Sequence, residues 1–325
     1  MTKAVSFKSR MASVLRRFPF IPALGMLVLL FILNGIAEPN SMTIRALKGV
    51  ASTYLALVFL SVGQTFVVYT ADIDLSVGAI LSLVNVSMVV IMSQFGGEPY
   101  AVLLALGAGI MIGALCGLMN GIVVSGLRMQ AIVATFATSI LISGIALWVL
   151  PVAGLPAPSL FWKIYGGRSY GIPNVFFFIA ILIVLLAFMA KTGLVTKLLA
   201  VGNGQLSAYQ SGLPVTRIRI YGYIICGIFS ALAAFCITGD TASGDPLVGG
   251  AMTLSSVAAV VLGGTALSGG IGSAFGSALG AIIIGLISSL VFYAGIPSQW
   301  QNLAQGATIL LVLMLGVLTS RRINQ

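Results

Sequence analysis

Six acidic residues stand in this chain of 325, and two of them, Asp72 and Asp74, sit at the seam between apolar runs 49–71 and 75–97. A carboxylate in or beside a membrane pays desolvation, so it points to function by default. Three chemistries fit the pair: contact with a polar solute, proton relay, or capping of a helix. Asp74 opens Asp74-Leu75-Ser76-Val77-Gly78 ahead of an apolar run. There it is placed as an N-cap, accepting backbone N–H bonds at the positive end of the helix dipole. A relay is the weakest of the three, because it needs a chain of titrating partners and the sequence has no histidine. For Asp72 no local role suggests itself, which leaves contact with the solute.

Other candidates for chemistry are fewer than they look. Cys116, Cys226 and Cys236 lie inside apolar runs without a CxxC pair, the setting of small buried hydrophobes. Without histidine the commonest general base and metal ligand is missing, so no metal, cofactor or covalent catalysis is expected. Gly263-Gly264-Thr265-Ala266-Leu267-Ser268-Gly269-Gly270 has the glycines of a phosphate loop but not its GK[ST] ending. Close packing of small residues between membrane helices accounts for it better, and Gly276 and Gly280 extend the same face. If ATP drives this protein, another chain must hydrolyse it.

The elements that position these residues follow from composition. The chain is 59% hydrophobic and 7% charged, against roughly 25% charged in a soluble domain. Its charge-free stretches run 18–37, 49–71, 75–97, 99–127, 129–162, 169–190, 220–239 and 246–320. Each can hold the ~20 apolar residues that cross a bilayer. A soluble fold, a nucleic-acid binder and a disordered chain are excluded. Glycine and proline divide the longest runs, and the result is an all-α polytopic membrane protein of about ten helices. The spans fall near 18–37, 48–70, 75–95, 100–124, 130–150, 172–190, 220–238, 253–266, 272–293 and 302–319. The eighth is short, as an oblique or broken helix sheltered by its neighbours would be. The run from Phe18 is too long for a signal h-region and reads as a retained first helix.

With the N-terminus inside, inner segments carry 12 basic residues and outer loops 4 (Arg45, Lys48, Lys163 and Arg168). That asymmetry puts both termini in the cytoplasm. A single membrane domain then covers 1–325, with a cytoplasmic tail at 1–17 and a cytoplasmic loop at 191–219. Within the loop, Leu206, Tyr209 and Gln210 share one face at helical spacing, ahead of Gly212 and Pro214. A short amphipathic helix meeting a partner fits this better than a passive connector. Weak internal matches pair Gly126–Gln130 and Ala137–Leu141 with Gly295–Gln299 and Gly306–Leu310, and Asp74-Leu75-Ser76 with Thr253-Leu254-Ser255. They suggest repeat halves of about 48–150 and 220–319. By the topology above these run in opposite senses, a pattern of transporters.

Four segments then resemble one family. Asp72-Ile73-Asp74-Leu75-Ser76-Val77-Gly78, Gly117-Leu118-Met119-Asn120-Gly121, Val201-Gly202-Asn203 through Ser211-Gly212, and Ala258 through Gly270 are similar, in this order, to motifs of the ribose-type ABC sugar permeases. Asp72 stands where that family's motif usually has glycine, and Asp240 where a basic residue is common. The resemblance implies the membrane subunit of an ATP-driven importer for a sugar or sugar-like solute. Its implied partners are a cytoplasmic ABC ATPase, a periplasmic or extracellular sugar-binding protein, a second permease copy and the bilayer of the bacterial inner membrane. It implies a translocation path near Asp72, Asp74, Ser76, Asn85, Asn120, Thr253 and Ser255. Coupling to the ATPase would fall on Gly202, Asn203, Leu206, Tyr209, Gln210, Ser211 and Gly212. An ion-coupled secondary transporter, which also uses inverted repeats, is the alternative.

Overall fold

The computed structural model describes residues 20–297 together with 300, 303, 306, 307 and 310. The tail at 1–17 and almost all of the tenth expected span lie outside the described residues. The helices are α1 (Ile21–Ala37), α2 (Ile44–Val68), α3 (Val77–Gln94), α4 (Pro99–Gly121), α5 (Ala131–Val149), α6 (Ser159–Gly166), α7 (Val175–Lys191), α8 (Leu194–Asn203), α9 (Gln205–Gln210), α10 (Val215–Thr241), α11 (Gly250–Leu262) and α12 (Ala274–Tyr293). A wider π turn over Ile122–Gly126 continues α4. Among the described residues, strands are confined to two pairs of two-residue segments. Leu155–Pro156 runs antiparallel to Ser243–Gly244, and Arg168–Ser169 to Ile172–Pro173.

The protein is a polytopic, almost wholly helical membrane protein. Among the described residues six helices are long and apolar enough to cross a bilayer: α2, α3, α4 with its π turn, α5, α10 and α12. A seventh span results if α7 and α8 form one crossing with a 68° bend. The bend falls at Gly193, whose φ of 68° is the left-handed conformation glycine adopts without a steric penalty. The short eighth span is a helix of 13 residues, α11. Non-helical chain precedes it, with Gly244, Pro246 and Gly249 buried and Leu247 exposed.

α10 is the central helix, packed on α2 and α4. Its contact with α4 is close because Gly113 and Gly227 face each other; a Cβ on either would strike the other's carbonyl. Small residues let membrane helices approach in this way. Against α2 the contact is aromatic: Phe229 lies 5.8 Å from Phe66 and 6.2 Å from Phe59, centroid to centroid. α4 and α5, by contrast, expose large apolar side chains such as Leu103, Met111, Phe136, Ile140 and Trp148.

The loop expected at 191–219 contains two helices, α8 and α9, rather than one. α9 ends with Ser211 in the cap position and Gly212 just beyond it at φ 81°. Gly212 N–H donates to the Tyr209 carbonyl and Leu213 N–H to that of Ala208. These are the two bonds that close a helix on a left-handed glycine. Pro214 then precedes α10.

Candidate functional site

Two breaks interrupt the helices, one between α2 and α3 (69–76) and one between α10 and α11 (242–249). Neither follows a glycine or proline. Each contains an alanine in the left-handed region at or near its start, Ala71 at φ 65° and Ala242 at φ 53°. A Cβ makes that conformation cost on the order of 1–2 kcal/mol, so surrounding bonds must hold it. In both breaks an aspartate side chain then accepts the N–H two residues on. Asp74 Oδ1 accepts from Ser76 N at 2.8 Å, and Asp245 Oδ1 from Leu247 N at 2.8 Å. The next helix starts immediately after each turn.

The two turns carry one sequence, Thr-Ala-x-x-Asp-x-x-Val-Gly, over Thr70–Gly78 and again over Thr241–Gly249. Gly78 and Gly249 meet backbone to backbone. The partner of Asp74 is therefore Asp245, 171 positions on (245 − 74). The expected match of Asp74-Leu75-Ser76 to Thr253-Leu254-Ser255 is in the wrong register, since Thr253 and Ser255 sit within α11. The cap expected of Asp74 is also corrected. Ser76 occupies the cap position of α3, and its backbone is already helical at φ −89°, ψ −8°. Asp74 acts one turn earlier, closing the turn that leads into the helix.

Four helices hold the first break. From α2, the amide of Gln64 is oriented so that its nitrogen donates to the Asp74 carbonyl at 3.2 Å while its oxygen accepts from Asp74 N at 3.1 Å. From α4, Asn120 Nδ2 donates to Ser76 Oγ at 2.6 Å and lies 3.4 Å from Asp74 Oδ2. From α5, Thr135 Oγ1 accepts from Leu75 N at 3.0 Å. From α10, Arg219 grips Asp72 with both prongs, Nε to Oδ2 at 3.0 Å and Nη2 to Oδ1 at 2.9 Å. Gln64, Asp74 and Ser76 are fully buried, so these bonds replace water for groups that could not otherwise be enclosed. The second break hangs on Asn85, whose Oδ1 accepts from Asp245 N at 2.7 Å and whose Nδ2 donates to Thr238 Oγ1 at 2.6 Å. Ser82 Oγ accepts from Gly249 N.

α8 leans on the first break. The Tyr69 carbonyl accepts from Gly270 N at 3.1 Å, and the Tyr69 hydroxyl from Ala274 N at 2.8 Å. Gly202 packs on that same carbonyl, with no room for a Cβ. Asn203 Nδ2 reaches the Gly270 carbonyl at 3.5 Å. Leu198 and Val201 are buried beneath α8, while on α9 Leu206 and Tyr209 are each 71% exposed. One side of this segment is packed against the helices and the other is bare.

Comparison with known proteins is decisive. The model of the family "Branched-chain amino acid transport system / permease component" matches residues 46–313. The chain belongs to this permease family. It is 30% identical over 299 residues to the ribose import permease protein RbsC of Escherichia coli (strain K12), covering 90% of this chain and 91% of that one. It is 33% identical over 302 residues to RbsC of Bacillus subtilis (strain 168), covering 91% of each. It is 31% identical over 301 residues to the autoinducer 2 import system permease protein LsrC of Escherichia coli O9:H4, covering 90% and 85%. No solved structure matches. The permease is thus a multi-pass inner-membrane transport subunit, and ATP hydrolysis belongs to a separate subunit.

In the permease the expected path residues fall into two groups. Asp72, Asp74, Ser76 and Asn120 converge on the first break, and Asn85 holds the second; all five are buried. Thr253 and Ser255 are half-buried on α11; the Thr253 hydroxyl lies against Gly78, where the two turns meet, whereas Ser255 Oγ donates to Ala251 O. Gly202 and Asn203 belong to the contact with Tyr69 and Gly270, whereas Leu206, Tyr209, Gln210, Ser211 and Gly212 lie on the bare side. Sequence reasoning missed Gln64, Thr135, Arg219 and Asp245. The repeated Thr-Ala-x-x-Asp-x-x-Val-Gly was the signal that leads to Asp245. Arg219 had none, because its partner is 147 residues away.

Proposed function

We propose that this permease is the membrane half of an ATP-driven importer for a sugar or sugar-like solute. The observation that carries this reading is similarity along nine-tenths of the chain to import permeases for ribose and autoinducer 2. The protein would work as a pair of permease copies. An ABC ATPase would dock on the cytoplasmic side and a solute-binding protein on the other. With ten spans and both termini in the cytoplasm, the first break would open toward the cytoplasmic side and the second toward the outer side, the two meeting at Gly78 and Gly249. The halves at about 48–150 and 220–319 would be inverted copies. The twin turns, each opened by a left-handed alanine and closed by an aspartate, support that reading, with Gly78 and Gly249 near the axis between the halves.

Irregular backbone at such breaks lets a half-helix swing without unwinding a whole span. The two breaks are accordingly the two gates of the path, opened alternately. The segment over α8 and α9 would receive the ATPase. Tyr209 and Leu206 have the character of interface anchors, which are few, central and often tyrosine. Co-purification of the ATPase with the permease tests this docking. Association that survives in the unaltered chain and is lost in Tyr209→Ala supports it; equal recovery of the ATPase with both refutes it.

A further inference from the structure

Three contacts tie the segment 194–219 to the first break: Gly202 on the Tyr69 carbonyl, Asn203 on Gly270, which itself donates to that carbonyl, and Arg219 on Asp72. The first two are packing and a long hydrogen bond. The third joins opposite charges at 2.8 Å, with the Arg219 and Asp72 side chains only 13% and 8% exposed. Resting on the docking reading above, we propose that the Asp72–Arg219 pair is a releasable latch between the ATPase-facing segment and the first gate.

The location supports a latch. Arg219 lies in the second turn of α10, directly after α9 and its closing turn, so a displacement of that segment reaches it first. Tyr223, one turn further along α10 and so on the same face, places its buried hydroxyl beside the same carboxylate, too far for a well-formed hydrogen bond but close enough to act on it. The carboxylate therefore has a second donor to close on if Arg219 withdraws. Arg219 for its part sits at the edge of the buried zone, where a freed guanidinium can hydrate. An ion pair sealed on all sides would be costly to part; this one has a place for each charge to go. The Thr70 hydroxyl, 3.3 Å from Asp72 Oδ2, stays with the carboxylate in either arrangement.

The test separates a latch from charges that merely need each other. Permease, ATPase and binding protein are reconstituted in liposomes, and solute imported per ATP hydrolysed is measured. Arg219→Gln or Asp72→Asn alone should reduce folded yield by stranding a charge. The double variant Asp72→Asn/Arg219→Gln strands none, so folding and ATPase association should recover. Import per ATP should nevertheless remain down by roughly tenfold, within the usual range of coupling free energies. Tyr223→Phe should lower the same ratio with folding intact. A double variant that imports as many solute molecules per ATP as the unaltered protein overturns the latch. Should the double variant not fold, an unchanged ratio in Tyr223→Phe overturns it instead. If the ATPase fails to associate even with the unaltered permease, the docking reading falls and the latch with it.

Discussion

Gly78 and Gly249 touch backbone to backbone at the points where α3 and α11 begin. A Cβ on Gly78 would strike the Gly249 carbonyl and the Thr253 hydroxyl. The next residue, Gly250, has open space where a Cβ would go. Gly78→Leu should therefore lower thermal stability of the purified permease by about 1–3 kcal/mol, the usual penalty of forced overpacking. Gly250→Ala should leave it unchanged. Equal tolerance of both substitutions in a thermal melt would contradict the contact.

Asp74 gives a sharper discrimination. Its carboxylate receives Ser76 N, Ser76 Oγ at 2.7 Å and the Asn120 amide. Asn120 Oδ1 is buried without a partner. In Asp74→Asn the new amide can accept from Ser76 and donate to that oxygen once Asn120 turns over. Folding and transport should largely persist. Asp74→Leu strands several buried polar groups at roughly 1–3 kcal/mol each and should abolish folded yield. Loss of transport in Asp74→Asn with normal expression would mean that the charge itself matters.

The bare side of α9 predicts separable defects. Leu206→Asp or Tyr209→Ala should weaken ATPase association and uptake together while leaving capture of the solute-binding protein unchanged. Pull-down of each partner with each variant is the measurement. A parallel loss of both partners would point to general misfolding instead.

Sidedness is tested by labelling. Ser159 on α6 and Ser207 on α9 are both exposed, and the three native cysteines are free thiols that must first be replaced. Ser159→Cys should react with an impermeant reagent from outside intact cells, and Ser207→Cys only after the cells are opened. Reversal at either site would overturn the ten-span arrangement.

The spans were readable in the sequence because long apolar stretches with few charges have few other folds open to them. The family was readable because four motifs fall in order. The two breaks fall between expected spans, but their turn geometry was not readable, because Ala71 and Ala242 are ordinary helix formers held left-handed by tertiary bonds. The true partner of Asp74 was hidden by a short match to Thr253–Ser255 that looked as good in isolation. Arg219 counted as one more cytoplasmic charge until folding placed it on Asp72. Likewise, Gln64 reads as a stray polar residue in an apolar span, although it holds the Asp74 backbone.

This permease should import solute only when an ATPase drives it. The most direct measurement is uptake of labelled ribose or related sugars into proteoliposomes containing permease, ATPase and solute-binding protein, with ATP on the ATPase side. Accumulation against a gradient should require all three proteins and ATP, and should be unaffected by dissipating proton and sodium gradients. Accumulation by the permease alone along a proton or sodium gradient would make it an ion-coupled secondary transporter instead.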